Sequence, residues 1–145
     1  MNTNDHHFFI QQQANAFNHK FELAFRSVGH SRSIIELVRA CNSKPVAAPH
    51  VRWMSEVKSS THKFNTEVEA KAQELIKTEL QDLKKVLESG DTSSFMAEKG
   101  RFCRDLRYLG GHAPRALQRA LVDLAKIRIE SNEVAETHEV ERDAE

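Results

Sequence analysis

Apolar residues in the first third of the chain recur at alternating spacings of four and three. They run from Ile10 to Val38, and the polar residue Ser31 interrupts them once. This spacing is the heptad repeat of a long amphipathic helix whose apolar stripe faces a core or a partner helix. We therefore predict one helix over residues 5–43, about 55 Å long, with Gly29 as a weak point inside it.

Two prolines end this predicted helix. Pro45 and Pro49 cannot lie inside a helix without losing an amide donor and clashing with the preceding turn. A second apolar repeat then begins near His50 and continues to Glu88, with Lys and Glu covering the other positions. The pattern predicts a second long helix over residues 50–88.

A short polar break follows the second helix. Gly90 suits the left-handed position just past a helix end, and Asp91 is a good N-cap for the next helix. We predict a third helix over residues 93–109. The double glycine after it bends the chain, and Pro114 suits the first turn of a fourth helix, which is predicted to end near residue 133.

Long amphipathic helices joined by short breaks predict an all-α fold, an antiparallel bundle of three or four helices. Residues 1–133 are predicted to form a single domain, and residues 134–145 an acidic, disordered tail. An apolar stripe of this length also indicates a coiled-coil-like homo-oligomer. The pattern leaves open whether the stripe faces its own chain or a neighbour. We define the apolar seam as Phe17, Phe21, Val28, Ile35, Val38, Met54, Phe64, Val68, Leu75, Leu83, Phe102, Leu106, Leu117 and Leu124.

Charge is balanced over the 145 residues but unevenly placed. Residues 99–128 carry eight basic residues against two acidic ones, a net charge of +6, whereas residues 129–145 carry one arginine against seven acidic residues, a net charge of −6. Cations at helical spacing favour an anionic partner such as an acidic protein, anionic lipid or nucleic acid. The alternative is a solvated face that pairs with Glu-rich helices or with the acidic tail. The basic patch comprises Arg101, Arg104, Arg107, Arg115, Arg119 and Lys126.

Candidate catalytic chemistry is sparse. The eight histidines form no HExxH pattern, and no Gly-rich loop has the spacing of a phosphate cradle. Cys103 lies among arginines that would lower a thiol pKa, but it has no partner base in the sequence, and a helix-face cysteine is the favoured interpretation. We therefore predict a protein that is not an enzyme, with no catalytic residues, metal site or cofactor.

The expected location is the cytoplasm. Cys41 and Cys103 are far apart and belong to no paired motif, which favours a reducing compartment. The first residues lack the basic and apolar regions of a secretory signal. No apolar run is long enough for a transmembrane helix.

One arrangement occurs twice: a helix end, a polar break and a new helix with an aromatic residue. The clearer occurrence is LESGDTSSFMAEKGRFCRDL, in which Phe95 and Phe102 follow the break; the other joins LVRACNSKP to HVRWMSE, with Trp53. This arrangement resembles the phasins, small helical proteins that coat polyhydroxyalkanoate storage granules. The resemblance implies a non-catalytic coat or adaptor protein of bacterial type that self-associates and binds hydrophobic granule surfaces through amphipathic helices. The alternative is a small helical nucleic-acid-associated or regulatory adaptor that uses the basic stripe at 99–128.

Overall fold

The computed structural model describes residues 3–127, and this part of the chain is all-helical. It contains five helices and no strand. The predicted tail over 134–145 and the last part of the predicted fourth helix lie outside the described residues. The helices are α1 (Thr3–Gly29), α2 (Ile34–Asn42), α3 (Ser55–Glu88), α4 (Thr92–Leu109) and α5, which begins at 114 and reaches the last described residue, 127.

The first predicted helix is two helices, which corrects the prediction of one helix over 5–43. α1 ends at Gly29, and Ser33 caps the start of α2 by accepting a hydrogen bond from the Glu36 N–H at 3.2 Å. The Glu36 carboxylate in turn accepts from the Arg32 N–H. The spacing of Ser33 and Glu36 is that of a capping box, with the Glu36 carboxylate reaching the amide one residue before the N-cap, and it starts a new helix. The described residues therefore form five helices rather than the predicted three or four.

α1 and α3 pack side by side through aromatic rings. The Phe21 and Phe64 ring centroids are 5.3 Å apart, and Ser60 Oγ donates a hydrogen bond to Asn18 Oδ1 at 2.8 Å. Nearer the start of both elements, the His50 ring pairs with Gln13. Because the paired residue numbers rise together, α1 and α3 run in the same direction. This pair departs from the predicted antiparallel packing, since α2 and the segment after it carry the chain back along α1.

α3 begins at Ser55, later than the predicted start at residue 50. The preceding residues form turns instead, in which the Val51 N–H donates to the Ala48 carbonyl at 3.0 Å. Pro49 lies within these turns and favours them over a continuous helix. The turn places Trp53 at an exposed position beyond the helix.

The predicted break between the second and third helices is confirmed. Gly90 adopts a left-handed backbone with a φ of 82°, and Asp91 accepts hydrogen bonds from the Ser94 N–H at 3.0 Å and the Ser94 Oγ at 2.7 Å. The predicted helix over 93–109 is α4. The short connection brings α4 back along α3, so Arg101 lies near Glu79, at an equal distance along the chain from Gly90.

α5 begins at Pro114, as predicted, but its cap comes from another helix. The Glu69 carboxylate on α3 accepts hydrogen bonds from the Arg115 N–H at 3.2 Å and the Ala116 N–H at 2.9 Å. A carboxylate at a helix N-terminus satisfies donors that have no partner within the helix. At the bend before α5, a Cβ on Gly110 would lie 2.6 Å from Leu117 Cδ2, so a larger residue there would require the Leu117 side chain to move.

Most of the apolar seam lies in one core. Eleven of its fourteen residues are buried, whereas Ile35, Met54 and Leu117 are half-buried. The heptad pattern predicted that Ile35 is buried, but the structure buries Ile34 in its place. The reason is that a new helix begins after Ser33, so the spacing from α1 does not continue into α2. Leu121 of α5, which is not part of the seam, is 52% exposed.

Candidate functional site

The basic residues of α4 lie beside acidic ones. Arg101 is close enough to Glu79 to oppose the rise that burial causes in the pKa of that carboxyl group. Arg104 Nε lies 3.9 Å from Asp105 Oδ1, an oxygen that is buried and accepts no hydrogen bond from the described residues. Arg107 is exposed in the last turn of the helix. All three arginines are exposed, and Arg101 and Arg104 have acidic neighbours within the chain.

Two basic residues of α5 line a groove against α3. Arg119 and Lys126 face Lys77 and Lys84 across a groove of about 730 Å³, which we call the α3–α5 groove. Arg115 lines a different groove at the start of α5. The structure therefore divides the basic patch among several surfaces and adds two α3 lysines to the part near the end of α5.

The charges in the α3–α5 groove do not balance. Glu74 is paired with Lys71 at 3.7 Å, and Asp123 with Lys126 at 4.0 Å. Within residues 3–127, no carboxylate oxygen lies within 4.0 Å of the cationic groups of Lys77, Lys84 or Arg119. The floor is apolar and formed by Ile76, Leu80 and Ile127.

A second feature is the exposed apolar start of α1. Phe8 and Phe9 are 66% and 48% exposed, and Ala14 is the first buried residue of the helix among those whose burial is described. The His50–Gln13 pair places the turn before α3 next to this part of α1. Because α1 and α3 run in the same direction, the start of α1 extends past the start of α3 and gains no cover from it.

Trp53 lies in that same turn and is 68% exposed. Arg52 and Lys58 approach its ring, with the guanidinium carbon 5.3 Å and the ammonium nitrogen 5.4 Å from the centroid. A cation above the face of an aromatic ring is attracted by the quadrupole of that ring. We define the apolar end as Phe8, Phe9 and Trp53, a set of large apolar side chains with basic residues at its margin.

A further groove of about 510 Å³ lies between the end of α2, α3 and the start of α5. Lys44 Nζ lies 5.9 Å from the Phe64 ring centroid there. Burial, and to a smaller extent the charge of Lys44, lowers the pKa of His112. Both effects favour the neutral imidazole of His112 over the charged one. The carboxylate of this groove, Glu69, is engaged in capping α5.

Neither cysteine has the surroundings of a catalytic nucleophile. Burial raises the pKa of the Cys41 thiol to about 11, which keeps it protonated at neutral pH. Cys103 is half-buried and packs against the core. Across the described part of the chain, no three His, Cys, Asp or Glu side chains cluster as metal ligands do. None of the helices in that part is both long enough and apolar enough to cross a membrane.

The architecture defines an all-helical protein with an unbalanced basic groove and an exposed apolar end. No protein-family model, curated protein or solved structure shows significant similarity to this chain.

Two parts of these surfaces were not among the residues that the sequence pattern indicated. Lys77 and Lys84 belong to the second long apolar repeat, where lysines cover the outer face, and their role depends on α5 packing beside them. Phe8 and Phe9 precede the seam and carry no motif. The available signal for them was two adjacent phenylalanines ahead of the first seam position.

Proposed function

We propose that this protein is a non-catalytic helical coat or adaptor protein that, like the phasins it resembles, attaches to the surface of hydrophobic polymer granules. The observation that supports the proposal is the apolar end, in which Phe8, Phe9 and Trp53 are exposed at one end of the molecule. Removal of such rings from water favours attachment by about 25 cal/mol per Å² of apolar area. In this proposal the seam remains the core and the apolar end makes the contact.

The margin of the apolar end supports a surface orientation. Trp53 between Arg52 and Lys58 combines an apolar body with charged groups that stay in water. Tryptophan is favoured where one side of a residue is apolar and the other wet. The apolar rings then enter the granule surface, and the flanking cations remain in the aqueous layer.

Binding to polyhydroxybutyrate particles tests this proposal. The variant Phe8→Ser/Phe9→Ser removes two exposed rings, and we expect a loss of roughly 2–3 kcal/mol, equivalent to an affinity lower by roughly 30- to 150-fold. The matched control is Leu121→Ser/Val122→Ser, which alters two residues of α5 that are 52% and 57% exposed. Co-sedimentation measures both. Equal binding by the wild type and the phenylalanine variant, or an equal loss in the control, contradicts the proposal.

Self-association belongs to the same proposal. The buried seam serves the fold of the single chain, so contact between copies must use exposed residues such as Phe8 and Phe9. We expect sedimentation equilibrium to show a homo-oligomer whose mass falls to that of the monomer in Phe8→Ser/Phe9→Ser. A monomeric wild type would remove self-association and leave granule binding as a separate question.

The second candidate function is a helical adaptor for nucleic acid or another polyanion. The observation that favours it is the α3–α5 groove, where Lys77, Lys84 and Arg119 have no carboxylate within 4.0 Å among residues 3–127. Phosphate contacts of this kind weaken steeply with salt. A gel shift with duplex DNA at low salt, lost at high salt, supports it; no shift at low salt excludes it.

A further inference from the structure

The α3–α5 groove has a chemistry that specifies its occupant. Its floor is apolar, through Ile76, Leu80 and Ile127, and its rim carries the cations Lys77, Lys84 and Arg119. The two acidic residues of the groove already have basic partners. A complementary occupant is therefore a chain segment in which acidic residues are interspersed with apolar ones.

The chain itself contains such a segment, directly after the groove. Ile127 is both a floor residue and the last described residue. Residues 129–145 carry seven acidic residues against one arginine, and Val134 and Val140 lie among them. The segment thus matches the groove in charge and in apolar content, and it follows a residue of the groove floor in the chain.

Length also permits the contact. The groove extends along α3 from Ala70 to Lys84, about 21 Å at the helical rise. Seventeen residues span up to about 56 Å when extended, so residues 129–145 can turn back after α5 and cover the groove. The tether gives the segment a high effective concentration compared with an external anion.

We propose that the acidic segment 129–145 binds in the α3–α5 groove of its own chain and competes there with external polyanions. This inference is independent of granule attachment, which uses the opposite feature of the molecule, an exposed apolar surface. It gives the charge asymmetry of the sequence a defined role: the segment covers the cations that α5 and α3 bring together.

Carbodiimide cross-linking of the full-length chain tests the proposal, because this reagent joins a carboxylate directly to an amine in contact with it. We expect cross-links between residues 129–145 and Lys77 or Lys84 in the monomer band. The variant Arg119→Glu reverses a groove charge without removing either reactive lysine and should lose them. Arg107→Glu, on α4, makes the same charge change outside the groove and should keep them.

Acetylation rates give a second readout. In the full-length variant Glu130→Gln/Glu133→Gln/Glu136→Gln/Glu139→Gln, Lys77 and Lys84 should react faster than in the wild type, while the exposed Lys20 and Lys63 should react at unchanged rates. Unchanged rates at Lys77 and Lys84 overturn the proposal and leave the groove to an external partner. Cross-links confined to a dimer band, or lost equally in Arg107→Glu, overturn it as well.

Discussion

At the scale of single residues, Glu69 joins two helices by capping one from the side of another. Its carboxylate accepts from two amide groups at the start of α5, and no residue of α5 itself replaces it in those hydrogen bonds. This contact joins the start of α5 to α3, beside the α3–α5 groove. The cap is invisible in the local sequence because it links residues more than forty positions apart.

Glu69→Ala should lower the free energy of unfolding by about 1–2 kcal/mol, the usual effect of removing a helix cap. Glu67→Ala, an exposed glutamate on the same helix, is the control and should change stability by less than about 0.5 kcal/mol. Urea unfolding followed by circular dichroism measures both. Equal stabilities for the two variants would show that the cap contributes nothing.

Glu79 gives the structure a dependence on pH. Burial is the main cause that raises its pKa above the ordinary value, while Arg101 opposes the rise. The folded state therefore binds the proton of Glu79 more tightly than the unfolded state does. The free energy of unfolding consequently falls as the pH rises from the ordinary pKa of a glutamate through the raised pKa of the folded state. Glu79→Gln removes this titration. The difference in stability between Glu79→Gln and the wild type should therefore favour the variant more at pH 7 than at pH 4. Thermal unfolding of both proteins at the two pH values measures this difference. A difference that favours the variant more at pH 4 would contradict the prediction.

At the scale of elements, the break between α1 and α2 determines which residues of α2 are buried. The heptad pattern continues across Ser31, so the periodicity predicts one helix, whereas local capping at Ser33 and Glu36 makes two. The sequence Ser-Ile-Ile-Glu carried this signal, and the periodicity masked it. By contrast, the break at Gly90 and the start at Pro114 were predictable, because each depends on backbone chemistry of the residue itself.

Ser33→Ala should destabilise the protein by about 0.5–2 kcal/mol through loss of the α2 cap. The matched control is Ser59→Ala within α3, where an exposed serine is replaced by a better helix former and no loss is expected. Chemical denaturation distinguishes the two. If Ser33→Ala is as stable as the wild type, the break between the helices does not depend on this cap.

The residues of the candidate surfaces were predictable only where their own type and spacing in the sequence were enough to identify them. Arg119 and Lys126 stood out as basic residues at helical spacing, but their partners Lys77 and Lys84 required the packing of α5 on α3. Trp53 stood out as an aromatic after a break, but its exposure required the turn that delays α3 to Ser55. Pairings between distant elements are tertiary properties, which periodicity in one segment cannot specify.

At the scale of the whole molecule, the phenylalanines fall into two groups, one buried in the core and one exposed. Phe64 is 2% exposed and its ring makes edge contacts with those of Phe21 and Phe25 at 5.3 and 5.6 Å, whereas Phe8 is 66% exposed. The first group holds α1 against α3. The second lies outside the core and is available to a partner surface.

Phe64→Ala should cost about 3–5 kcal/mol in stability, as expected for a large-to-small change in a core. Phe8→Ala makes the same chemical change at an exposed site and should stay within about 0.5 kcal/mol of the wild type. Calorimetric melting compares them. Similar losses for both variants would show that α1 packs differently from the arrangement described above.

Attachment of the apolar end to a hydrophobic surface is the central claim, and the single tryptophan of the chain reports on it directly. Trp53 is exposed to water in the structure, so its emission should move to shorter wavelength and resist quenching by iodide when polyhydroxybutyrate particles are added. The claim would be contradicted if the protein binds the particles while the emission wavelength and the iodide quenching of Trp53 stay the same as in the free protein.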